Sequence, residues 1–140
     1  MSLAKCACID TIYTELPWPQ RFQAAKDDGF AAVEFWDWRI RDEHETKAAA
    51  KDAGIPIVAC NADKDISMID PAHRSEYIDC IKASVDAANR FGIRSLTLHS
   101  NALGKGGVVL HPLDEVSDRS NSAPCMTRWK NALRSRRTAV

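Results

Sequence analysis

Four short hydrophobic stretches of this sequence each run into polar side chains that can bind a ligand or move a proton. They are Asp10 with Tyr13, Glu34 with Trp36 and Asp37, Asn61 with Asp63, and His99 with Asn101. Carboxylates and amides in such places can hydrogen-bond the hydroxyl and carbonyl groups of a small polar molecule. An imidazole adds a metal ligand or a general acid, and His99, directly after Leu96, Thr97 and Leu98, is the histidine placed for it. Glu34 stands inside the apolar run at 31–36. A carboxylate buried there needs a partner or is driven toward its protonated form. It is satisfied by a backbone amide or an arginine, or it contacts a polar substrate. Trp36 and Trp38 alternate with Asp37; they can wall a sugar-sized pocket or pack against helices.

Other motifs are weaker. The glycine-rich stretch at 103–107 lacks the G-x-x-x-x-G-K-[ST] arrangement of a phosphate cradle and reads as a loop. His44 and His73 fall on charged helical segments and read as solvated surface. No HExxH, paired CxxC or G-x-S-x-G motif is present, and no two carboxylates are spaced as a general acid/base pair on one face.

The elements that must position these residues follow a repeating pattern. The spacing predicts strands over 5–10, 31–38, 56–61 and 94–100. Pro19 suits the first turn of a helix reaching Asp28, with Phe22 and Ala25 inward and Gly29 as its stop. Residues 41–53 are charged and alanine-rich, helical by propensity, and closed by Gly54. Asp70-Pro71 opens a third helix, whose apolar face is Ile78, Ile81, Val85, Ala88 and Phe91, and Gly92 ends it. Three glycine-terminated helices each feeding an apolar strand predict an α/β fold of right-handed parallel βα units. In such folds ligands bind beyond the carboxyl ends of the strands, where the polar groups above fall. The third strand is nearly all apolar, as for a strand buried on both faces.

Net charge is zero, but its distribution is uneven. From Arg119 onward the charged residues are Arg119, Arg128, Lys130, Arg134, Arg136 and Arg137, with no acid. The acidic body before them disfavours nucleic acid. An apolar patch at 108–110 and a helix start at 114–118 precede this segment. The periodicity then stops, so residues 1–118 are expected to form the folded body and 119–140 an atypical basic tail, truncated or out of frame. No stretch reaches the roughly 20 apolar residues of a membrane span. Five cysteines, with Cys6, Cys8 and Cys60 in strands expected to be buried, point to free thiols and a cytoplasmic setting rather than a disulfide framework.

The run GFAAVEFW at 29–36 resembles the second strand of the xylose isomerase-like barrels. With Leu98-His99-Ser100-Asn101 and the glycine loop at 104–107, residues 5–118 resemble the hydroxypyruvate isomerase branch of the sugar isomerases and epimerases. The resemblance implies a (βα)8 TIM barrel of roughly 250 residues, of which this chain carries the amino-terminal half, about four βα units. It implies a divalent metal, Mg2+ or Mn2+, and isomerisation or epimerisation of a small carbohydrate or hydroxy-keto acid. Glutamates on the fifth and later strands would transfer the proton. No catalytic residue and no metal ligand is therefore assigned here, and the isolated chain is expected to lack turnover. Glu34, Trp36, His99 and Asn101 match the pattern as substrate-contacting residues. Two copies are expected to complete a barrel as a homo-oligomer. The alternatives are a non-catalytic α/β ligand-binding module and a fragment of an apurinic-endonuclease-like barrel.

Overall fold

The computed structural model describes residues 3–99, 101, 108 and 109. The loop at 103–107, the helix start at 114–118 and the basic segment at 119–140 lie outside the described residues. The chain divides into two compact units. One contains the residues up to Asn61 together with Val85–Thr97, and the other contains Ala62–Ser84 and the residues from Leu98 onward.

In the first unit the strands β1 (Cys6–Cys8), β2 (Ala32–Phe35), β3 (Ile57–Asn61) and β4 (Ser95–Thr97) form one sheet in chain order, all neighbours parallel. The α/β class and the four strands read from the sequence are those observed, with shorter strands than the periodicity suggested. Their connections carry α1 (Trp18–Asp27), α2 (Glu43–Asp52) and α3 (Arg74–Phe91).

Each helix ends the same way. The N–H groups of Phe30, Ile55 and Ile93 reach back to the carbonyls of Ala25, Ala50 and Ala88, at 3.0, 3.0 and 2.8 Å. The glycine between, which must turn left-handed to allow this, thus delivers an apolar residue into the core. Gly92 does so at φ 76°, and nothing lies within 4 Å of where a Cβ would stand. Gly92→Ala should therefore lose about 1–2 kcal/mol purely through the backbone conformation. Urea titration should show a lower midpoint with an unchanged slope.

The sheet is covered by helices on one face. Ala7, Ile9, Val33, Phe35, Ile57 and Cys60 point to that side and join Phe22, Ala25, Ala87, Ala88 and Phe91 in one core. Alternation along the strands puts Cys6, Cys8, Ala32, Glu34, Asn61, Ser95 and Thr97 on the other side. Every one of these is half-buried or exposed. The expectation that the strand cysteines are buried is thus corrected: Cys60 is, Cys8 is half-buried and Cys6 is exposed. In β3 the neighbours Ala59 and Cys60 are both buried, one toward each face, while Val58 and Asn61 are half-buried.

Two local differences from the sequence reading have clear causes. Asp70 accepts a hydrogen bond from the Ala72 N–H at 2.8 Å, and that tight turn makes residues Pro71–His73 a 3-10 turn before α3 begins. In α2 the only fully buried side chain is polar: Thr46, whose Oγ1 accepts the Trp18 indole N–H at 2.9 Å.

Candidate functional site at the strand ends

Beyond the carboxyl end of β1, Asp10 ties three segments together. One carboxylate oxygen accepts the backbone N–H of Trp36 at 2.6 Å, and the other is paired with the Arg41 guanidinium. Arg41 in turn lies over the Trp18 ring, 3.7 Å from its centroid. The loop after β1 is held by Arg21, which donates to the carbonyls of Ile9, Leu16 and Thr14 at 2.9, 3.0 and 3.1 Å. Tyr13 sits in that loop at φ 58° and donates its hydroxyl to Asp28 at 2.5 Å. Lost solvation and the Asp28 carboxylate push its phenol up to about 12.

This scaffold leaves Trp36 held by its backbone and free at its ring. Its carbonyl accepts the Asn61 N–H at 2.9 Å, while the residue as a whole is 51% exposed. Trp38 is half-buried against the hydrophobic core, with Arg39 over its ring at 4.6 Å. Of the two readings of the tryptophans, packing holds for Trp38, while Trp36 presents an aromatic face to solvent.

Glu34 lies on the open face of the sheet, in register with Cys8 on one side and Ala59 on the other. It is half-buried, and among the described residues its carboxylate has no hydrogen-bond or ion-pair partner. The premise that a carboxylate in this apolar run must be buried is corrected, because alternation turns Glu34 away from the core that takes Val33 and Phe35. Partial desolvation of Cys6, followed by the Glu34 charge and Cys8, holds the Cys6 thiol above its ordinary value. At neutral pH it is a thiol, a poor nucleophile.

In the second unit His99 is bound to Asp63. The Asp63 carboxylate accepts the His99 backbone N–H at 3.0 Å and meets the ring Nδ1 at 3.0 Å. The Asp63 side chain is 4% exposed and that of His99 44% exposed. Asn101 is half-buried. Sequence reasoning named Asp63 among the strand-end polar groups but not as the partner of His99, which lies 36 residues away. Arg41 gave no signal at all; as a charged residue near a helix start it is indistinguishable from surface.

Among the described residues no three or more His, Cys, Asp or Glu side chains are grouped to hold a metal ion. No helix among them is long and apolar enough to cross a membrane.

The family model for the xylose isomerase-like TIM barrel matches residues 22–135. No curated protein matches. Among solved structures, an AP endonuclease, family 2, from Brucella melitensis is similar at 18% identity and a TM-score of 0.70, covering 93% of this chain and 50% of that one. A 3-keto-D-glucoside 4-epimerase from E. coli is similar at 16% identity and a TM-score of 0.68, covering 91% and 50%. A sugar phosphate isomerase/epimerase from Parabacteroides distasonis is similar at 11% identity and a TM-score of 0.69, covering 92% and 46%. At these identities the likeness is one of fold. This chain spans about half the length of each of them.

Proposed function

The chain belongs to the xylose isomerase-like TIM-barrel family, and from that premise we propose that it takes part in isomerising or epimerising a small sugar or hydroxy-keto acid, as a hydroxypyruvate isomerase-like barrel half. The observation that carries this reading is the exposed indole of Trp36 two residues beyond the half-buried Glu34, at the carboxyl end of β2 in a parallel sheet. Trp36 offers a flat apolar face on which a sugar C–H face can stack. Glu34 offers a half-buried carboxylate with no partner among the described residues, suited to accept ligand hydroxyls. In the second unit His99, oriented by Asp63, and Asn101 offer polar groups of the kind that hydrogen-bond a sugar.

The described residues do not fit a divalent metal, since they hold no three-donor group. The role proposed for them is accordingly to bind and orient substrate; proton transfer and the cation are not assigned to them. The division into residues 1–118 as barrel body and 119–140 as an atypical basic tail is part of the same proposal, as are a cytoplasmic setting and a barrel completed by a second copy.

Calorimetric titration with hydroxypyruvate and with D-xylose, in the presence of Mg2+ or Mn2+, tests the reading. Trp36→Ala and Glu34→Gln should each weaken binding about tenfold, while changing the stability read from urea denaturation by less than about 0.5 kcal/mol, as for positions turned away from the core. Binding that neither substitution changes, or no binding of either compound, would remove these residues from the site. Turnover of hydroxypyruvate by this chain alone would contradict a purely binding role.

A further inference from the structure

We propose that Asp63 locks the His99 imidazole in its Nδ1–H tautomer, so that Nε2 is a bare nitrogen that accepts a hydrogen bond from a ligand hydroxyl. The inference concerns the second unit alone and rests on the sugar reading only for the identity of the ligand.

The geometry makes the proton assignment. Both Asp63 oxygens face Nδ1, at 3.2 and 3.0 Å. An ionised carboxylate can only accept, so the ring must place its hydrogen on Nδ1. The His99 backbone N–H donates to the same carboxylate at 3.0 Å, so one residue satisfies it twice and fixes the ring beside it. A carboxylate 4% exposed has little access to water as a competing donor, which makes the bond to Nδ1 its principal compensation for burial. A neutral imidazole carries one ring proton, so fixing it on Nδ1 leaves Nε2 with its lone pair. With the His99 side chain 44% exposed, the ring is open to a ligand. This reverses the default of free histidine, which favours the proton on Nε2.

The complementary ligand group is a hydroxyl, which a neutral sugar or hydroxy-keto acid supplies. Asp63 acts through His99 and is a positioning residue. Asp63→Asn should invert the arrangement with almost no change in shape. The amide oxygen can still accept the His99 backbone N–H, while its NH2 now donates to Nδ1 and forces the ring proton onto Nε2. The same logic, an asparagine that leaves geometry intact but installs the wrong tautomer, is known for the catalytic histidine of serine proteases.

The test is two-bond 1H–15N correlation spectroscopy of the whole chain labelled at histidine, at a pH where the imidazole is neutral. His99 is identified among the four histidines by its loss in His99→Gln. The wild type should show the Nδ1–H pattern with at least about tenfold preference, the ratio expected of a charge-assisted bond, and Asp63→Asn should show the Nε2–H pattern. A wild-type His99 carrying its proton on Nε2, or one tautomer in both proteins, would overturn the proposal. Should Asp63→Asn fail to fold, the wild-type spectrum decides by itself. Titration with hydroxypyruvate and D-xylose then separates the two layers. A shift of the Nε2 resonance supports both, and an unmoved Nε2 in the correct tautomer overturns its assignment as a hydroxyl acceptor for this substrate class.

Discussion

Phe35→Ala should lower stability by about 4 kcal/mol, the usual penalty for truncating a buried phenylalanine. Phe35 is 1% exposed and sits where β2 meets the helices. Its ring lies 5.6 Å from Trp18 and 5.9 Å from Phe91, both edge-to-face, and Trp18 meets Phe22 at 5.4 Å in the same manner. Truncation would therefore remove two aromatic pairs, worth about 0.5–1.5 kcal/mol each beyond their buried area, and leave a cavity between α1, β2 and α3. Against a total stability of about 5–15 kcal/mol, that is enough to unfold a substantial fraction of a marginal domain. Phe35→Leu, which keeps most of the volume, should lose about half as much. Urea denaturation followed by tryptophan fluorescence gives both values. A loss below about 1 kcal/mol for the alanine variant would mean that the aromatic cluster does not hold the sheet to its helices.

Arg41→Ala should lower stability by about 3 kcal/mol, chiefly because it strands Asp10. The Asp10 side chain is 9% exposed and that of Arg41 19%. Removing one member of such a pair leaves a charge without its counter-ion in a poorly solvated place, the expensive way to break a buried ion pair. Asp10 would keep the Trp36 N–H, which holds the figure at the low end of the range. Arg41→Met retains the apolar stem over Trp18 yet still strands Asp10, so it should fall nearly as far. Combining it with Asp10→Asn should recover more than about 1 kcal/mol over the sum of the single effects, the mark of coupled residues. Additive losses would show that Arg41 contributes packing on Trp18 and not charge. A functional consequence follows, since Asp10 holds the backbone of Trp36. On the proposed function, Arg41 variants that remain folded should bind hydroxypyruvate or D-xylose more weakly, because Arg41 is linked to the Trp36 backbone through Asp10.

Much of the framework was legible because it rests on short-range signals. Gly29, Gly54 and Gly92 marked helix ends, and the apolar runs before and after them marked strands, since both effects act within one turn or one strand. The family was legible for a similar reason: GFAAVEFW is one contiguous strand with its preceding helix stop. Which face of a strand meets the helices was not. Periodicity of two shows that Val33 and Phe35 oppose Glu34, but an apolar run conceals the alternation, and Cys6 and Cys60 look alike until the sheet register separates them.

The amino-acid sequence by itself determined the α/β class, the order of strands and helices, and the strand ends at which polar groups gather. Only the tertiary structure decided which of those groups act as pairs. Asp10 meets Arg41 31 residues away and Asp63 meets His99 36 residues away. Trp18 reaches Thr46 across 28 residues and turns a polar residue into part of the interior. Trp36 is left exposed while Trp38, two positions on, is packed. The physical reason is common to all four. A hydrogen bond or ion pair depends on distances of about 3 Å, set by how strands register and helices dock. Local propensity carries no information at that range.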